Sequence, residues 1–255
     1  ASARGWSYGV SAITWMQGER NNDLRLDDWS ESLARPAFLA AYASDLITLK
    51  NQWNADIQAI TGQTRRIPMF SYQTWGAISG QAQLLASDQD PEIFIVSPTY
   101  YMASAINSVN PLNGLWGNWI HLNGESERWL GAQFAKVIKR VLVDGEAWKP
   151  LRPLKAWASA DRRTVYVQYH VPRKPIVIDR SFLPATPGAG LFIRGGPDVV
   201  SASVYADDTL ALQLASALAP SDFAVEYASE HGNAVVMAVP QPIVAVRQGT
   251  DGVGG

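Results

Sequence analysis

Residues 8–15, YGVSAITW, form a run of apolar, β-branched and aromatic positions that ends in the polar cluster QGERNND. Such a run predicts a short buried strand that delivers polar groups to a loop at its carboxyl end. The period then changes. Phe38, Leu39, Tyr42, Leu46, Leu49 and Trp53 recur at steps of three and four, which predicts one apolar face of a helix of about 17 residues. Pro36 lies near its start, where a missing N–H costs little. Residues 67–73 (IPMFSYQ) read as a second strand, 78–86 as a short helix, and 92–97 (EIFIVS) as a third strand closed by Pro98. A loop with Asn110, Pro111, Asn113, Gly114 and Gly117 leads into WIHLNGES. An amphipathic helix follows over about 125–143, with Trp129, Leu130, Phe134, Val137, Ile138, Val141 and Leu142 on one side. Strands alternating with helices imply an α/β unit, a parallel sheet covered on both faces.

After Pro150 the helical period disappears. Short alternating runs (TVYVQYHV, KPIVID, GLFIR, SASVY, LALQLA, FAVEYA, AVVMAV) are separated by Pro, Gly and Asp. Turn signals at such spacing predict an all-β sandwich. The boundary falls near Pro150–Pro153, giving units 1–150 and 151–255, and the tail RQGTDGVGG is expected to fray. No internal repeat is visible.

Composition narrows the classes. Hydrophobic residues at 47% and charged residues at 17% supply a real core and exclude a disordered chain. A net charge of −2 gives no electrostatic footprint for nucleic acid. No apolar run reaches the roughly 20 residues that span a bilayer. The absence of cysteine excludes disulfides and thiolate chemistry. Ten tryptophans and nine tyrosines fit either core packing or stacking on sugar rings, and composition does not choose between them. The chain opens ASARGWSYGV, with neither an initiator Met nor a signal-peptide pattern, so processing or truncation upstream is expected.

Candidate chemistry is sparse. Gln17-Gly18-Glu19 follows a predicted strand, where parallel folds gather ligands. Gln offers an amide donor, Gly close backbone approach, and Glu a carboxylate that can orient an imidazole; a plain polar turn is the alternative. His121, in Asn118-Trp119-Ile120-His121-Leu122-Asn123, is a candidate general base. A structural histidine is the alternative there, and His170 and His231 read as structural. Trp119 and Asn123 stand as candidate substrate-binding residues. No HExxH or DxDxDG spacing and no GxxxxGK or GxGxxG loop is present, so neither a protein-bound metal nor a cofactor is expected.

Taken in order, AITWMQGERNND, the helix AYASDLITLKNQW, the strand IPMFSYQ and the block NWIHLNGESERWLGAQFAKVI resemble the sialate O-acetylesterase and acetylxylan-esterase branch of the SGNH/GDSL hydrolases. The resemblance covers about residues 8–143. It implies a partial SGNH-type three-layer α/β/α fold and a serine esterase acting on acetylated carbohydrate. His121 would be the base, Gln17 with Gly18 part of the oxyanion hole, and Glu19 the group orienting the histidine.

Two departures stand out. Asn118 occupies the position where the family carries aspartate, and the serine block is missing, Gly80-Gln81 being followed by Ala82. The resemblance therefore implies a nucleophile on a segment outside this chain, either a cleaved N-terminal piece or a second chain. A sheet lacking its first strands also predicts an exposed apolar edge that a partner would cover. A looser resemblance links VYVQYHVPRKPIVID and FAVEYAS to the sandwich appended to such esterases in bacteria and phages. It implies a polysaccharide-positioning or surface-attachment module, in a secreted, cell-surface or virion setting. The rival expectation is a non-catalytic carbohydrate-binding or structural protein that keeps the fold without the chemistry.

Overall fold

A computed structural model describes residues 2–19, 21, 34–74, 78–99, 101–102, 121–179, 187–220, 223–227 and 245–248. The chain divides into two compact units, Ala1–Trp148 and Lys149–Gly255.

In the first unit β1 (Ile13–Trp15), β2 (Met69–Gln73) and β3 (Ile93–Pro98) form a parallel sheet in that order. Alternation sorts their side chains by face. Ile13, Met69 and Ile93 share a core with Ala43 and Leu46 of α1 (Ala34–Thr61) and Ala86 of α2 (Ile78–Gln89). Phe70, Tyr72 and Val96 point the other way and pack with Leu130, Phe134 and Val137 of α3 (Gly124–Ile138). Helices thus cover both faces, and β2, central and enclosed, is buried from Met69 to Tyr72. All three strands end at one edge, so the loops after them converge there.

Three elements differ from the sequence expectation. Only Ile13–Trp15 of the expected 8–15 strand pairs with a neighbour. Upstream, the Gln63 side chain takes both backbone bonds of Val10, accepting from its N–H at 2.8 Å and donating to its carbonyl at 3.0 Å. The helix α1 runs for 28 residues, well past Trp53. Its continuation is carried by buried polar groups that an apolar count overlooks. Asn54 accepts from the Ile67 N–H and donates to the Ile67 carbonyl, tying the helix to the chain entering β2. Gly62, at φ 73°, closes the helix in the left-handed conformation that glycine tolerates. The third difference is at α3, which ends in a π-helical turn over Lys139–Val143 rather than continuing as α-helix.

In the second unit β4 (Arg152–Ala158), β5 (Thr164–His170), β9 (Thr209–Leu214) and β8 (Val199–Ala206) form an antiparallel sheet in the order β4-β5-β9-β8. Val165, Val167, Leu210 and Leu212 share a core with Ile176 of β6 (Ile176–Asp179) and Leu191 and Ile193 of β7 (Leu191–Ile193). The opposite face carries a row of rings, Trp157 stacked on Tyr166 at 5.5 Å and Tyr166 against Tyr205 at 4.7 Å. Two strands, β4 and β11 (Ala245–Gln248), fall outside the expected runs. β4 has no clean alternation, because it is a largely exposed edge with a register shift between Pro153 and Lys155. β10 (Val225–Tyr227), within the expected FAVEYA run, pairs with β7, and β11 pairs with β6. Arg247 and Gln248 therefore belong to a strand and not to a frayed tail, because β6 offers them a partner. The AVVMAV run lies outside the described residues.

Candidate functional site

The site is built at the carboxyl edge of the parallel sheet. β1 ends at Trp15, and the chain then turns, with the Asn21 N–H donating to the Gly18 carbonyl at 3.1 Å. This turn lies directly on the end of β2. A Cβ at Gly18 would come within 2.9 Å of both Gln83 Nε2 and Thr74 Cγ2. The residue also has φ 151°, a conformation L side chains rarely adopt. Both requirements select glycine, and close approach is the role the sequence assigned to it.

The approach brings Glu19 over the end of β2. Oε1 of Glu19 accepts from the Tyr72 hydroxyl and from Thr74 Oγ1, the latter at 2.8 Å. Burial pushes the Tyr72 phenol well above its ordinary value, and the Glu19 carboxylate it bonds pushes it further. Tyr72 is therefore a proton donor, not a phenolate, at any ordinary pH. Both hydroxyls end on the same oxygen. A half-buried carboxylate held by two donors keeps a defined orientation, which suits a group that orients an imidazole.

Gln17 is held just as firmly. Its Nε2 donates to Asn21 Oδ1 at 2.7 Å, and its Oε1 accepts from the Tyr42 hydroxyl at 2.9 Å. Its backbone carbonyl accepts from Gln83 Nε2 at 2.7 Å. Burial is the main reason the Tyr42 phenol is pushed up to about 12, with the neighbouring Gln83 amide opposing it and the Glu19 charge adding to it.

His121 is exposed, and Leu122 beside it packs into the cluster that contains Phe70 and Tyr72. The histidine is thus anchored next to the cluster whose Tyr72 reaches Glu19. Among the described residues no hydrogen bond joins His121 to Glu19 or Gln17. Asn123 caps α3: its Oδ1 accepts from the Ser126 N–H at 2.9 Å at the start of the helix. Its side-chain oxygen is therefore committed to the fold. Asn118 and Trp119 lie outside the described residues.

Tyr72, Thr74 and Gln83 are site residues that the sequence did not single out, and Tyr42 was read only as part of the apolar face of α1. Two signals were available. Period two in β2 places Phe70, Tyr72 and Thr74 on one side, with a hydroxyl at the strand end. In α2 the fully buried positions Ser79, Ala82, Gln83 and Ala86 follow a helical stripe, so a glutamine sits where an apolar residue is expected. Of the serines that β2, α2 and β3 bring to this unit, Ser71, Ser79 and Ser97 are buried, and Ser87 is half-buried with its Oγ donating to the Leu84 carbonyl within α2. A hydroxyl closed off from solvent cannot meet an ester substrate. Among the described residues no group of three or more His, Asp or Glu is gathered for a metal ion, and no helix is long and apolar enough to cross a membrane.

No family model matches the chain, and no curated protein matches it.

Proposed function

We propose that this chain supplies part of the catalytic site of a carbohydrate O-acetylesterase, its serine nucleophile coming from a segment outside this chain. The observation that carries the reading is the Gln17-Gly18-Glu19 turn, pressed onto the end of β2 with its amide and carboxylate each fixed by side-chain bonds. The resemblance of this turn and of the His121 block to SGNH esterases supplies the reaction.

In that reaction His121 takes the proton of the serine hydroxyl as its oxygen attacks the acetyl carbonyl. The carbonyl π electrons move onto oxygen, and the Nε2–H of Gln17 stabilises the charge. Collapse expels the sugar alkoxide, which takes the proton from His121, and the acetyl group stays on serine. Water, deprotonated by His121, then releases acetate and restores the serine. Glu19 orients the imidazole and stabilises its cation, the task that Asn118 as an amide cannot perform. Under this reading the first unit is a portion of an SGNH-type layered fold, and the β-rich unit is an appended sandwich.

The test is acetate release from an acetylated saccharide by the chain combined with its serine-bearing segment. His121→Ala should remove most of the rate, because members of a nucleophilic unit act together. Equal release by wild type and variant sinks the proposal. One observation favours a second reading, a carbohydrate-binding or structural protein without the chemistry: Ser71, Ser79 and Ser97 are all closed off. Saccharide binding without acetate release under the same conditions selects it.

A further inference from the structure

We propose that the ring-bearing face of the four-stranded sheet in the second unit is a binding site for a carboxylated polysaccharide. This deepens the reading of that unit as a saccharide-positioning module and does not depend on the acetyl-ester chemistry.

Val165 and Val167 of β5, like Leu210 and Leu212 of β9, point into the core, so Tyr166 and Ala211 between them point outward. The register sets Trp157 opposite Tyr166, Tyr166 opposite Ala211, and Ala211 opposite Ser203. Trp157 stacks on Tyr166 with an interplanar angle of 23°. Ala211 is the small residue of this rank, and across it Tyr205 of β8 comes within 4.7 Å of Tyr166. A register shift between Val204 and Ala206 sets two residues of β8 against Thr209, a device by which an edge strand re-aims a side chain. The space over Ala211 is filled, since this outer-face residue is only 8% exposed. The flanking rings stay open, Trp157 at 38% and Tyr205 at 65% exposed. A tyrosine so exposed gains little from its own burial, and open rings gathered on one face mark a binding surface.

The surroundings of the rings select the occupant. Amides and hydroxyls border the row. On one side Thr164 Oγ1 donates to Oε1 of the exposed Gln213 at 3.3 Å, and on the other Gln168 follows Tyr166 along β5. A pyranose has the matching division, with C–H faces that pack on aromatic rings and rim hydroxyls that bond amides and hydroxyls. Charge narrows the class further. None of the four strands contains Asp or Glu, whereas β4 contributes Arg152 and Lys155. Lys155 Nζ lies 5.2 Å from the centroid of the Trp157 ring, so a cation stands beside the row. The turns after β4 and β8 carry Asp161, Asp207 and Asp208, of which Asp208 is paired with Lys174 at 2.6 Å. A sugar stacked on Trp157 would therefore bring its carboxylate to Lys155. Two strand cations in a chain of net charge −2 are too few to hold the phosphates of a nucleic acid.

Isothermal titration of the full chain with polygalacturonate, alginate and hyaluronan, and with dextran and xylan as neutral counterparts, tests the site. No serine segment is needed. At least one carboxylated polymer should bind about tenfold or more tightly than both neutral ones. Trp157→Ala and Tyr205→Ala should each weaken that binding about tenfold, with the backbone amides of Val165 and Val167 still protected from hydrogen exchange. Lys155→Gln removes the charge alone and should bring the carboxylated and neutral polymers to within about threefold of each other. If Trp157→Ala loses the protection in β5, Tyr205→Ala, at the more exposed ring, decides. The proposal is overturned if no carboxylated polymer binds, the rings then being cross-strand packing only. It is equally overturned if both ring variants bind as the wild type does, or if oligothymidylate binds as tightly as the best polysaccharide. Acetate release is read in a separate experiment, so failure of the esterase reading leaves these titrations to decide the site.

Discussion

Tyr72 donates its phenolic hydrogen to Oε1 of Glu19, and Thr74, just past the end of β2, donates to the same oxygen. The ring of Tyr72 belongs to the apolar cluster beneath α3, so one residue links the packing of the sheet to the polarity of its edge. Tyr72→Phe keeps the ring and deletes only the hydroxyl. Loss of one bond to a half-buried carboxylate should cost about 1–2 kcal/mol in urea unfolding. Under the proposed esterase reading, acetate release with the serine-bearing segment present should fall about tenfold to a hundredfold, because a carboxylate free to swing would not align the imidazole. Unchanged release would remove Glu19 from the site.

Gly18→Ala addresses the close approach itself. The added methyl meets Gln83 Nε2 and Thr74 Cγ2 at 2.9 Å, and the backbone sits at φ 151°. The turn must lift away from β2, at a cost of about 1–3 kcal/mol. Chemical denaturation reads the loss, and the Tyr42 and Tyr72 hydroxyl protons should shift in the same sample. A variant as stable as the wild type would mean that the turn does not lie on β2.

The alternation of strands and helices in the first unit is legible in the sequence because burial on both faces leaves continuous apolar runs such as Ile93–Val96 between amphipathic helices. Gln17, Gly18 and Glu19 are legible as polar residues that close an apolar run, although the strand expected to be buried keeps only Ile13 buried. What stays hidden is polar and long-range. Gln63 replaces a strand neighbour at Val10 through its side chain, and nothing in the local pattern around either residue announces that pairing. Gln83 and Asn54 are buried amides whose partners are backbone groups far away in the chain. Periodicity counts them as polar and assigns them to the surface. β4 is missed because an exposed edge strand lacks the inward face that alternation detects.

Asn123→Ala separates a capping role from a substrate contact. The Asn123 Oδ1 bond to the Ser126 N–H satisfies one of the open donors at the start of α3, where Glu125 and Glu127 already favour the positive end of the helix dipole. Its removal should cost about 1 kcal/mol, whereas Asn123→Asp, which retains an acceptor, should keep most of that stability. Thermal unfolding of the two variants compares them directly. If Asn123→Ala lowers saccharide affinity while stability is unchanged, substrate contact and not capping is its role.

At the amino edge of the sheet, Lys50 is fully buried and lies 2.6 Å from Asp90 and 2.9 Å from Glu92. Arg66 also reaches Glu92, at 2.7 Å. Burial opposes the charged form of Glu92, but the hydrogen bonds and charges of Lys50 and Arg66 outweigh it and hold the carboxyl below its ordinary value of 4.5. A carboxyl with a lower pKa in the folded state gives up its proton more readily there than in the unfolded chain. Its contribution to stability is therefore complete above the ordinary value, and is lost as the pH falls through the folded one. Glu92→Gln keeps the size and removes the titration. The variant should be less stable near pH 7 and should lose less stability than the wild type between about pH 5 and about pH 3. Lys50→Met should have a larger effect at neutral pH, about 3 kcal/mol, because it leaves Asp90 and Glu92 facing each other without their buried cation. Urea unfolding of the three proteins across this range decides the matter. Parallel acid limbs for wild type and Glu92→Gln would show that the ion cluster carries none of the acid sensitivity.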